Sequence, residues 1–93
     1  MPSDVRANPD EMDAFAMQLR VFNERLREEM SRLNGAFSRV GESWQDAKYR
    51  SFADEYIGTM RLLDHFSRAS EDFIGYLLAE SAFLREYLAR HLR

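Results

Sequence analysis

Ninety-three residues hold at most one domain, and without cysteine neither a disulfide nor a thiolate metal site can stiffen a thin core. A formal charge of −3 and a pI near 5.3 exclude a basic surface that tracks phosphates, so nucleic acid is not an expected partner. No stretch approaches the ~20 apolar residues of a membrane span, and Met1 to Asp10 lacks the apolar centre of a cleaved signal peptide.

Residues Met1 to Ala7 are polar and aperiodic and read as a mobile tail. Asn8-Pro9-Asp10-Glu11 is a helix start: Asn8 caps, Pro9 suits the first helical position, and two acids favour the positive end of the helix dipole. From there Met12, Phe15, Leu19, Phe22, Leu26, Met30, Leu33, Phe37 and Val40 follow in steps of three and four. That spacing predicts a helix over residues 9–40 with one narrow apolar stripe, to be covered by an antiparallel partner helix. The opposite face carries Arg20 with Glu24, Arg25 with Glu29 and Glu28 with Arg32, which read as solvated pairs. Met17 and Val21 interrupt that polar face and read as tolerated exposure.

Residues 41–47 form the corner. Gly41 is expected to take the left-handed conformation that ends a helix, and Ser43 or Asp46 to cap the next one. Trp44, the one tryptophan, is expected to bury its ring on Phe37, Val40 and Tyr49. A second helix is predicted over residues 47–91. Its apolar positions include Phe52, Tyr56, Leu63, Phe66, Phe73 and Leu77 and span a wider arc than one neighbouring helix can cover. Arg85, Arg90, His91 and Arg93 suit the negative end of its dipole. Gly58 and Gly75 cost that helix about 1 kcal/mol each and mark either a close backbone approach or a plain defect. The chain therefore reads as one all-α domain over residues 1–93, an antiparallel two-helix hairpin and a rod on the order of 45 to 60 Å long. The surplus arc, with Phe52, Tyr56, Leu63, Phe66, Phe73 and Leu77 as its core, predicts dimerisation into a four-helix bundle.

The residues that chemistry needs are sparse. His65 and His91 are the two histidines, Asp64 and His65 point about 100° apart on a helix, and neither Glu-x-x-His pairs nor a glycine-rich phosphate loop occurs. A protein without catalytic function, cofactor or metal is expected, one that works by binding other proteins.

A short hairpin with a tryptophan at its corner resembles the WXG family, the early-secreted-antigenic-target-like proteins of type VII secretion. Asn8-Pro9-Asp10-Glu11 matches the family's opening of helix 1, Trp44 its corner tryptophan and Phe52 the aromatic early in helix 2. Asp46 stands where the family carries a glycine. Tyr76 and Glu80 resemble its C-terminal export signal, and Phe83 and Tyr87 its apolar extension. The resemblance implies a bacterial secretion substrate or adaptor that pairs with itself or with a similar small helical chain, and a secretion ATPase as a further partner. It also implies residence in the cytoplasm before export without a cleaved signal peptide, with Trp44 of one subunit near the Tyr76–Tyr87 strip of the other. The alternative is a cytoplasmic hairpin scaffold that docks on a larger partner through the same strip and is not secreted.

Overall fold

The computed structural model describes residues 7–91; the readings for Met1 to Arg6 and for Arg93 lie outside them. Helix α1 runs Pro9–Ser43 and helix α2 runs Ala47–His91, packed against each other along their lengths, with no strand among the described residues. Asn8 starts α1 as its residue type dictates: Oδ1 accepts from the backbone N–H of Asp10 at 2.8 Å and of Glu11 at 3.3 Å. Pro9 follows in the first turn, where no intrahelical donor is required.

The corner differs from the glycine-centred turn expected. α1 continues through Gly41 to Ser43, and no described residue has a positive φ. Gly41 serves close approach instead: a Cβ there would lie 2.5 Å from the Tyr49 hydroxyl and 3.2 Å from its ring. The helix stops because Trp44 turns extended at φ −111°, while its N–H still reaches the Val40 carbonyl at 2.9 Å. Gln45 donates from Nε2 to the Gly41 carbonyl at 2.7 Å, satisfying one acceptor that the helix end leaves open. Asp46 caps α2, its Oδ1 accepting from the Tyr49 N–H at 2.9 Å. That bond, aided by the Trp44 indole, holds the Asp46 carboxyl below the usual aspartate range.

The seam between the helices is made of small and polar side chains. Ala16 of α1 packs with Ile74 and Leu77 of α2, Met12, Leu19 and Leu78 beside them, while Asn23, Ser67, Ser70 and Ser81 are buried polar residues and Tyr56 is buried nearer the corner against Phe37. Serine and alanine let two backbones approach closely, which large residues prevent. Toward the corner the seam turns aromatic: Phe37 stacks on Tyr56 at 4.1 Å and on Tyr49 at 5.6 Å, and Trp44 meets the Tyr49 ring edge at 5.4 Å.

The molecule is one layer thick. Its backbone extends 69 × 23 × 14 Å, longer than the rod expected because α2 alone has 45 residues, and its radius of gyration is 20.5 Å. A compact chain of this size would have a radius near 12 Å. Its accessible surface of 7358 Å² exceeds by roughly 1,700 Å² that of a globular protein of equal mass.

Two substitutions separate the roles of the glycines. Gly58→Ala meets no atom within 4 Å and is expected to raise stability by about 1 kcal/mol through helix propensity. Gly41→Ala adds the same propensity but displaces Tyr49 from Phe37 and Trp44, so thermal unfolding should show no gain and the Trp44 fluorescence should change. Asp46→Ala is expected to lower stability at neutral pH. Because the folded pKa is depressed, the cap contributes fully above about pH 4, the unfolded aspartate value, and fades as pH falls through the folded value. Denaturation curves of wild type and variant should therefore converge in acid.

Candidate functional site

With successive residues turning by about 100°, the seam divides each helix into two flanks. On α1, Asp13 and Arg27 fall on one side of the Ala16–Asn23 line, and Phe15 and Phe22 on the other. The first flank is ionic across the helices. Arg27 pairs with Asp64 at 3.5 Å, Arg68 with the same carboxylate at 3.0 Å, and Asn23 Nδ2 donates to Glu71 at 3.0 Å. At the open end Arg85 pairs with Asp10 and Asp13, while Ser81 Oγ donates to the Pro9 carbonyl at 3.3 Å. Ser81 first, and then Arg85, hold the Asp13 carboxyl below its usual range, and the two aspartates raise the Arg85 guanidinium in turn.

The second flank is aromatic and open. Phe15 and Phe22 of α1 lie beside Phe73 and Phe66 of α2, the Phe22 and Phe66 rings meeting edge to face at 6.2 Å. Between them a shallow groove is floored by Leu19, Ala69 and Ser70. Each of these four phenylalanines is about half exposed, from 45% for Phe73 to 52% for Phe15. Leu33, Val40 and Phe52 continue the exposed apolar surface toward the corner. Monomeric proteins rarely leave contiguous apolar area of this extent in water.

The residues assigned to a dimer core are thereby divided. Phe52, Phe66 and Phe73 are exposed, Leu63 is half-buried, and Tyr56 and Leu77 are buried inside the hairpin itself. Phe15, Phe22, Leu33 and Val40, expected to face α2, are exposed instead. The signal that separates the two lines lies one residue further on: Ala16 and Asn23 sit on the seam, and Phe15 and Phe22 are pushed beside it. Trp44 is 40% exposed, lying against Tyr49 rather than plugging the corner.

The C-terminal strip is on the surface. Tyr76 and Phe83 are 58% and 65% exposed, Glu80 is exposed and Tyr87 half-buried. Tyr76 stacks on Phe73 at 5.9 Å, joining the strip to the aromatic flank, and Tyr87 packs on His91 at 4.2 Å. Ser81 meets Pro9, so Phe83 and Tyr87 lie past the level at which α1 begins. Among the described residues no helix is long and apolar enough to cross a membrane, and no group of three His, Cys, Asp or Glu side chains is placed to hold a metal. Comparison with family models, curated proteins and solved structures returned no match for this chain.

Arg85 is the tie between this end of α2 and α1. Arg85→Ala is expected to speed amide hydrogen exchange over residues 82–91 while leaving the rest of α2 protected. Since the folded Asp13 pKa is depressed, its pairing is complete above about pH 4 and is lost as pH falls through the folded value. Acid should thus bring wild-type exchange toward that of the variant.

Proposed function

We propose that this chain is a non-enzymatic binding protein whose working form is a pair of hairpins stacked aromatic flank to aromatic flank as a four-helix bundle. The single observation that supports this best is the aromatic flank itself, contributed by both helices of a molecule 14 Å thick. The face that carries it is no wider than the 23 Å extent of the molecule and, over the 35 residues of α1, about 50 Å long, an upper bound of roughly 1,000 Å² per protomer. A stable interface of standard size takes about 800 Å² from each partner. A second copy presents the same chemistry and the same area, and the ionic flanks of both copies then face water.

The task of that pair, in this reading, is that of a WXG-like secretion substrate or adaptor, with Tyr76, Glu80, Phe83 and Tyr87 read by a secretion ATPase. Its support is the resemblance at Asn8–Glu11, Trp44 and Phe52, together with the exposure of the strip at an end of α2 that outruns α1. The scaffold reading has its own support in Asp46. Where the family has glycine, this residue caps α2, so the corner works here by a different device.

Sedimentation equilibrium tests the pairing. Wild type should weigh two 11.0 kDa chains, and Phe22→Glu with Phe66→Glu should weigh one. A wild-type monomer that unfolds cooperatively contradicts the bundle. Tyr76→Ala with Glu80→Ala should leave the mass unchanged and, in the native host, abolish appearance of the chain in the medium. If that double variant dissociates, the strip is a subunit contact. If wild type never leaves the cell, the scaffold reading stands in place of secretion.

A further inference from the structure

Asn23 is 1% exposed in the middle of a helix–helix seam, the costliest place for an amide. Its Nδ2 donates to the Ser67 carbonyl at 3.4 Å and to Glu71 at 3.0 Å, yet its Oδ1 and the buried Ser67 Oγ find no partner among the described residues. A leucine would fill such a position at less cost, so stability alone does not account for Asn23. A second amide, Asn34, accepts from the Tyr56 hydroxyl at the margin of the same seam. Asn23 with Ser67, Asn34 with Tyr56, and Pro9 with Ser81 all belong to one alignment of the two helices.

We infer that Asn23, assisted by Asn34, selects the register in which α1 meets α2, and thereby determines which residues make up the aromatic flank. The alternatives are few, because side chains on a helix repeat at one turn or two. A slip of one turn sets Asn23 against Leu63 or Glu71, and a slip of two turns sets it against Met60 or Ile74. In three of these four alignments Asn34 loses its hydroxyl partner and faces Phe52, Met60 or Leu63, and in the Ile74 alignment Leu78 also takes the place of Glu71 beside Asn23. The fourth, against Met60, offers Asp64 to Asn23 and Tyr49 to Asn34, but it moves the midpoint of the hairpin from Gln45 into α1, between Gly41 and Glu42. Only the observed alignment serves both amides with the turn at Trp44 to Asp46. It is also the alignment that brings Phe22 to Phe66 and sets Phe15 beside Phe73, so a slipped hairpin would lose the groove between them. A polar residue that gives up stability to specify register is a recognised use of a buried amide in helical seams.

Spin labels at Arg20→Cys and Asp72→Cys, both exposed, read the alignment as a distance when labelled chain is diluted into excess unlabelled chain. The native seam should give one narrow distance. Asn23→Leu with Asn34→Leu should melt at a higher temperature and add a second distance, from helices displaced along their axes by about 5 to 10 Å. A double variant with the single native distance would mean that the corner alone sets the register, and overturns the inference. A double variant that melts below wild type overturns it too, because the amides would then be stabilising contacts rather than selectors.

Discussion

Two helices lying side by side have one seam and two open flanks, and the filling of that seam decides what the flanks must be. Here Ala16, Asn23, Ser67, Ser70 and Ser81 occupy it, side chains small enough to bring the backbones together. Small residues bury little apolar area, however, and the buried apolar side chains of the described residues are Ala16, Tyr56, Ile74 and Leu77. Four phenylalanines that the seam does not hold gather on one side as Phe15, Phe22, Phe66 and Phe73, while Met17, Val21, Ile57 and Leu62 are exposed elsewhere. A close seam inside the hairpin and an uncovered aromatic flank beside it are thus two consequences of one distribution of side-chain size.

The charges follow the same division. Arg27 pairs with Asp64 across the helices on the flank away from the phenylalanines, with Arg68 holding the same carboxylate from within α2, and Arg85 with Asp10 and Asp13 joins the helices at the open end. Such exposed pairs contribute little to stability, but they keep their flank compatible with water. The hairpin is therefore two-sided, with one flank suited to solvent and the other to a protein surface. The strip from Tyr76 to Tyr87 continues from the aromatic flank through the Phe73–Tyr76 stack and runs past the start of α1.

Much of the fold was legible in the chain. Asn8 and Asp46 have the short acceptor side chains that helix starts require, and both cap as their chemistry suggests. The break between the helices was also legible, though not its mechanism, because a glycine near a corner signals both helix termination and close approach. Which applies at Gly41 depends on where Tyr49 lies across the seam. The seam was legible in part: Met12, Leu19 and Phe37 pack against α2 as expected, whereas Phe15, Phe22, Leu33 and Val40 of the same stripe are exposed. Hydrophobicity centres the α1 stripe on Phe15, Phe22 and Leu33, but the fully buried residues of α1 are Ala16 and Asn23, one small and one polar, which a search for large apolar side chains passes over. Periodicity locates an apolar face to within one residue, and one residue on a helix is 100°. That rotation separates a buried phenylalanine from one open to a partner.

If the aromatic flank is covered by a second copy, folding and association are coupled, and the melting temperature must depend on protein concentration. Scanning calorimetry across a wide concentration range measures this directly, on the unaltered chain. The account predicts one cooperative transition that moves upward as concentration rises. A sharp transition at a fixed temperature would mean that the seam holds the hairpin together unaided, and would contradict the account.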